Sequence, residues 1–276
     1  EFFGGGSSNN VNPEEVKIGD ITDLLESIAP LSFQEHYDNA GLFCGSKDEV
    51  CSGVFVCLDV SEKVIDNAIE KGCNLIVSHH PLVFRGLKSL LPQNNVAKTV
   101  LKAVTNNICL YSSHTNLDAA KDGVNTLLAK TIGLEDFEPF NVGQSDPRYF
   151  GIGGMGFLSE PLMVEPFLRK VKDAFSNPHI RYVEGRNKQI KSVALCSGSG
   201  SEFIPLAIEK GADCYLTGDL KYHDFLDAEG RIVLADIGHF ESEALIKRHI
   251  VSIISKNFCN FVPLFCDDLP NRVKSL

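Results

Sequence analysis

The sequence has no run of apolar residues near the ~18 that a membrane-spanning helix needs, so no membrane association is expected. Its nine cysteines include no Cys-x-x-Cys pair, which removes zinc-ribbon spacing. It also lacks any block of Lys or Arg dense enough for a basic patch, and 36 acidic against 26 basic residues leave a formal charge of -10. Such a surface repels phosphate backbones, so nucleic acid is not an expected partner. No secretory signal is visible. Cys57, Cys109, Cys196 and Cys214 lie inside apolar runs, where thiols behave as small hydrophobes. A reducing, cytoplasmic location is the expectation, with a removed organelle-targeting segment as the alternative.

What is present is an ordinary globular composition, 43% hydrophobic and 22% charged over 276 residues. At about 100–200 residues per domain this suits one large or two medium domains. Residues 1–13 are rich in Gly, Ser and Asn and read as a flexible N-terminal segment. Patterning begins near Glu14. Two strand–helix–strand stretches follow, Val54–Val77 and Val193–Leu216, whose short all-apolar strands point to parallel strands covered on both faces. A shift of 139 residues lays 54–80 on 193–219 with eight identities in 27, including Ala-Ile-Glu-Lys-Gly at 68–72 and 207–211. A looser match continues downstream. An apolar strand, His, three residues, a carboxylate and Ala recur as His114 to Ala119 and His239 to Ala244. The expectation is an α/β fold of two pseudo-related halves: 14–134 plus 232–276, and 135–231. Ligands in such sheets bind beyond the carboxyl ends of the strands.

Four of the eight histidines, His79, His80, His114 and His239, directly follow apolar strand-like runs. Imidazoles there are costly unless they find partners. Pro81 turns the chain after the His79-His80 pair, so both rings can face one cavity. His114/Asp118 and His239/Glu243 are each four apart and share a face if a helix opens there. This inventory is too large for one tetrahedral ion. It predicts two divalent ions, with Zn, Fe, Mn and Ni all compatible with imidazole and carboxylate. Asp219 falls on His80 in the 139-residue shift and follows a strand, which suggests a catalytic role in orienting substrate or water; a helix N-cap is the alternative. His223, four residues on, is a further catalytic candidate.

Other features carry less. Gly151–Gly156 spells GxGxxG without a preceding strand, and Pro161 follows, so a Gly-rich strand or turn is expected. Ser197-Gly-Ser-Gly-Ser201 stands between a strand and a helix, where its N–H groups could cradle a phosphate or form a tight turn. Arg85, Lys88 and Lys221 could meet an anionic substrate. Residues 241–256 read as an amphipathic surface helix.

The runs LIVSHHPLVFRGLKSL (75–90), SSHTNLDAAKDGVNTLLAKTIGL (112–134), TGDLKYHD (217–224) and DIGHFESEA (236–244) resemble the NIF-three family, named for an interactor of a yeast transcription factor. It includes dinuclear-metal-centre proteins known as GTP cyclohydrolase I type 2 homologues. EHYDNAGLFCG (35–45) resembles the family's early Trp-Asp-Asn-x-Gly-Leu segment, with Tyr37 in place of Trp. The resemblance spans about 20–270 and implies a two-domain fold, a homohexamer built from dimers and a di-metal site inside the ring. Its ligands fall on His79, His80, Asp118, His239 and Glu243. His114, which spacing alone would make a ligand, becomes a near-site catalytic candidate. The expected function is a metal-dependent hydrolase acting on a nucleotide-like or phosphorylated small molecule. The alternative is a non-catalytic metal-binding oligomeric scaffold or a transcription-related interaction partner.

Overall fold

The computed structural model describes residues 15–141, 143–258 and 262–276; the expected flexible segment 1–13 lies outside the described residues. The first half runs α1 (Ile18–Ile28), β1 (Gly41–Cys44), β2 (Val54–Cys57), α2 (Glu62–Glu70), β3 (Leu75–Ser78), α3 (Asn95–Thr105), β4 (Cys109–Ser112), α4 (Thr115–Asp118) and α5 (Val124–Ile132). There follow β5 (Glu135–Pro139), β6 (Gly154–Met163), α6 (Val164–Ala174), β7 (Arg181–Val183), β8 (Gln189–Ser199), α7 (Ile204–Glu209), β9 (Cys214–Gly218), α8 (Tyr222–Ala228) and β10 (Val233–Asp236). The chain closes with α9 (His239–Phe258) and β11 (Leu264–Cys266).

Two mixed sheets result. The first has the order β1-β4-β3-β2-β11, parallel except for the edge strand β1. The second has the order β5-β6-β8-β9-β10-β7, with β8, β9 and β10 parallel and the outer strands antiparallel. Every residue of β2, β3 and β4 is buried, as expected for parallel strands covered on both faces. The internal repeat is visible in the backbone. α2 and α7 both end on a left-handed glycine, Gly72 at φ +71 and Gly211 at φ +77, which a residue with a Cβ would adopt at a cost. In each copy the residue after that glycine donates to the alanine of Ala-Ile-Glu-Lys-Gly: Cys73 to Ala68 at 2.9 Å, Ala212 to Ala207 at 3.1 Å.

The segment 232–276, expected in the first half, divides between the two. β10 pairs with β9 in the second sheet, whereas β11 joins the first beside β2. α9 is not a surface helix. It buries Ile246, Ile250 and Ile254 in one core with Val54, Val56 and Val77 of the first sheet and Val193, Leu195 and Leu216 of the second. Its charged residues disguise this, because Glu243 and Lys247 are themselves buried. Gly154 to Gly156 open β6, which continues to Met163 before α6 begins, so this part of the glycine-rich run is strand and no helix starts on it. Among the described residues no helix is long and apolar enough to cross a membrane.

Asp213 ties the second sheet together just before β9. Its carboxylate accepts from the Lys191 and Ser192 N–H groups, both at 2.9 Å, from the Ser192 hydroxyl at 3.1 Å and from the Asn187 amide at 2.6 Å. Partial burial raises its pKa, but these donors outweigh burial and lower it overall. A depressed folded pKa gives stability that is present above the unfolded value and is lost as pH falls through the folded one. Asp213→Asn is therefore expected to cost about 1–2 kcal/mol at neutral pH, discounted for its exposure. In urea melts at a series of pH values the gap from wild type should close on acidification. A gap that stays constant with pH would refute this account.

Candidate metal centre

The site is assembled at the carboxyl ends of strands from both sheets. His79 and His80 follow β3, Asp118 ends the short α4 after β4, and His239 and Glu243 lie one turn apart at the start of α9. α4 opens where spacing predicted, with the Asp118 N–H donating to the His114 carbonyl at 2.9 Å. His79 is fully buried. Its Nδ1 lies 2.8 Å from the Ser113 carbonyl, which places the hydrogen on Nδ1 and leaves the Nε2 lone pair free. That Nε2 is 3.5 Å from both Asp118 Oδ1 and Glu243 Oε1 and has no hydrogen-bond partner among the described residues. His80 Nε2 is 2.9 Å from Glu243 Oε2, and His239 Nε2 is 3.2 Å from the same oxygen. The His80 and His239 Nε2 atoms are 3.4 Å apart.

Glu243 therefore belongs to two donor groups. His79, Asp118 and Glu243 form one, His80, His239 and Glu243 the other, with ligand atoms within 4.8 Å of one another in each; either could hold a metal ion. His79, His80 and His114 form a third. The Ser-Gly-Ser-Gly-Ser loop makes this possible. A Cβ on Gly198, which sits at φ +63, would stand 2.5 Å from Glu243 Oε1. Two of the loop's N–H groups are already taken, that of Ser197 by Asn125 at 2.9 Å and that of Gly198 by the Ser242 hydroxyl at 3.0 Å, and do not face a phosphate.

The electrostatics follow from burial. Burial opposes charge on His80, but Asp59 and Glu243 overcome it and raise its pKa to about 10. The Glu243 carboxylate beside it, against burial, raises His239 to about 9. Burial raises Asp118, whereas the surrounding imidazoles hold Glu243 well below the usual carboxylate range despite its burial. A buried carboxylate pair among imidazoles, with His79 Nε2 and Glu243 Oε2 each lacking a partner in hydrogen-bond geometry among the described residues, is costly unless a cation compensates it. The donor set thus fits a divalent metal, with imidazole and carboxylate the ligands expected for Zn, Fe, Mn or Ni.

The imidazoles are held by groups that spacing did not reveal. Asp59 Oδ1 takes His80 Nδ1 at 2.9 Å, and Asp38 Oδ1 takes His114 Nδ1 at 2.8 Å. Burial alone would raise Asp38, but hydrogen bonds from His114 and Thr115 hold it at about 2. Asp59 follows the apolar run Val54–Leu58, so the strand-end reasoning applied to histidines would have found it had it been extended to carboxylates. Asp219 does reach the cluster: its Oδ2 lies 2.6 Å from His239 Nδ1, which makes it a holder of an imidazole. His114 sits beside the pair, its ring 5.3 Å from that of His79 and 5.4 Å from that of His80. His223 is exposed on α8 against Tyr222 and does not line the cavity at the cluster. That cavity has a volume of about 900 Å³ and is bounded by His80, His114 and His239 at one end. Its basic residues are Arg181, Lys247 and Arg272, not Arg85, Lys88 or Lys221.

Residues 16–266 match the profile of the family Duf34/NIF3 (NGG1p interacting factor 3). The chain belongs to the NIF3 family. It is 34% identical over 229 residues to a GTP cyclohydrolase 1 type 2 homolog of Clostridium acetobutylicum, covering 83% of this chain and 85% of that one. A GTP cyclohydrolase 1 type 2 homolog of Campylobacter jejuni is 32% identical, with 89% and 93% covered. Among solved structures, the Staphylococcus aureus hypothetical protein SA1388 superposes with a TM-score of 0.85 at 29% identity, covering 95% of this chain and 100% of that one. Reduced HcgD from Methanocaldococcus jannaschii gives 0.78 at 28% identity, with 92% and 98% covered. The mixed α/β fold of this NIF3 chain is thus the fold of its structural neighbours.

Groups that orient metal-binding imidazoles typically affect metal affinity by 10–100-fold. Asp59→Asn and Asp219→Asn are each expected to weaken metal binding by about that factor in competition with a chromogenic chelator, and His223→Ala to leave it within about twofold. Equal affinities for all three variants would remove the role assigned to the two carboxylates.

Proposed function

We propose that this NIF3 protein is a dinuclear metal-dependent hydrolase of a nucleotide-like or phosphorylated small molecule. One observation carries the reading. Glu243 turns Oε1 toward His79 and Oε2 toward His80 and His239, as a carboxylate bridging two ions would. His79 and Asp118 would hold one ion and His80 and His239 the other, with Glu243 common to both. Two divalent ions supply Lewis-acid charge and lower the pKa of water toward neutrality.

The chain's own residues do the rest. Ser113, Asp59 and Asp219 fix the Nδ1 side of His79, His80 and His239, which directs each Nε2 inward. His114 lines the cavity with Nδ1 on Asp38, whose side chain shows no exposed surface, so its Nε2 is the group placed to move a proton at the substrate. The curated relatives are named for GTP cyclohydrolase, and that name supports a nucleotide-like ligand. Assembly into a hexamer belongs to the same reading, and light scattering that returns a monomer would remove that part.

The test is hydrolysis of a panel of nucleotides and phosphoesters by metal-loaded protein, with elemental analysis of each preparation. Turnover should fall by at least about 100-fold in His79→Ala, His80→Ala and Glu243→Gln, consistent with loss of a positioned metal. His114→Ala should keep its ions and lose about 10²–10⁴-fold in rate, the range of a general acid or base. Turnover no higher than in the His79→Ala, His80→Ala control across the panel would leave a metal-binding protein without this activity.

A further inference from the structure

The cavity runs from the cluster along α9 toward the C-terminal segment, and its far end contains an unusual cation. Lys247 is 8% exposed and lines the cavity. Its ammonium donates to the Asp267 carbonyl at 2.7 Å and stands 5.9 Å from the Phe240 ring. Both of those residues line the same cavity. Among the described residues no carboxylate oxygen lies within 4.0 Å of it. A buried ammonium has three donors, and a charge out of water is expensive unless paired. Among the described residues one carbonyl is its hydrogen-bond acceptor, so two donors are left toward the cavity wall. In that wall Asp59 already holds His80, Asp219 holds His239 and Asp236 pairs with Arg181, while Asp267 lies near enough to share part of the Lys247 charge. Arg272, at the rim, donates to the Ser61 hydroxyl at 2.8 Å and likewise has no carboxylate within 4.0 Å among the described residues.

The spacing along α9 gives this cation a use. His239, Glu243 and Lys247 recur every four residues, so they fall along one stripe of the helix. At 1.5 Å per residue, Lys247 lies about 6 Å beyond Glu243 and about 12 Å beyond His239 along the axis. Leu58, Phe240, Leu269 and Pro270 wall the space with apolar surface. A volume of about 900 Å³ is within the range that takes a small organic ligand.

We propose that Lys247, with Arg272 at the rim, is an anion subsite that receives the phosphate of a phosphorylated ligand whose reacting atom sits at the histidine cluster. The proposal deepens the hydrolase reading and rests on it for the identity of the reacting end, though the subsite itself can be tested apart from turnover. The ligand it describes is a phosphate monoester with a flat or apolar body, its phosphate about 6–12 Å from the bond that changes. The phosphate of such a ligand is a handle and not the leaving group.

The probe is inorganic phosphate, titrated by calorimetry into protein as purified and into protein stripped by chelator, with ion content measured for each. Phosphate should still bind stripped wild type. Lys247→Met should weaken that binding at least tenfold, Lys247→Arg should stay within threefold, and ion content after reloading should match wild type in both. Phosphate binding that disappears on chelation would show that phosphate sits on the metals alone and would overturn the subsite while leaving the metal reading intact. Equal affinity in Lys247→Met and wild type would overturn it as well. If Lys247→Met melts too early to titrate, Arg272→Met decides: about threefold weaker binding supports the subsite, and no change overturns it. Protein that takes up no metal yet shows the Lys247 dependence would separate the failure of the hydrolase reading from the standing of the subsite.

Discussion

Glu243 is 3% exposed, ionised, and surrounded by three imidazoles that come from two different sheets. A carboxylate at that depth cannot be solvated, and its charge must be met by groups brought to it. Much of the architecture around it serves that need. α9 runs between the two sheets, where Glu243, one turn on from His239 at the helix start beyond β10 of the second sheet, can meet His79 and His80 from the first. The helix is anchored for this by Ile246, Ile250 and Ile254, which join the cores of both halves into one. The backbone has to yield space, and Gly198 provides it at a position where any Cβ would collide with the carboxylate.

The two copies of the strand–helix–strand unit have been put to different uses at corresponding positions. In the 139-residue shift His80 falls on Asp219 and Asp59 on Gly198. In the first half, His80 faces the cluster and Asp59 holds its outer nitrogen. In the second, Asp219 holds the outer nitrogen of His239, and Gly198 gives the room that Glu243 occupies. One strand-end geometry thus supplies donor, holder and space, and which of the three it supplies depends on side-chain size and charge. Orientation by a fixed Nδ1 partner is common to all three cluster imidazoles. It matters because an imidazole free to rotate or change tautomer offers no defined lone pair.

Most of the donor set was legible from local pattern, because apolar runs ending in His and the four-residue His–carboxylate spacings are short-range signals that survive without knowledge of contacts. The groups that failed to show depend on long-range approach. Asp38 meets His114 across 76 residues, and Ser113 meets His79 across 34. Asp219 was expected at the site for its position in the repeat, yet what it does there, holding His239, needed the coordinates. His223 shares the four-residue spacing from Asp219, but on α8 that spacing turns it outward beside Tyr222. The basic residues near the motifs in sequence, Arg85, Lys88 and Lys221, are not those lining the cavity. Arg181, Lys247 and Arg272 come from an edge strand, a buried helix and the C-terminal segment.

By itself the sequence determined that this chain forms two related α/β halves and carries imidazoles and carboxylates at strand ends, since periodicity and strand-end placement are local consequences of which residues are apolar. Tertiary structure alone decided that α9 is an interior helix, that Glu243 is shared between two donor groups, and that a lysine lies buried in the cavity wall. The reason is physical. Burial of a charged residue is a property of what surrounds it, and here the surroundings are supplied by segments more than a hundred residues apart.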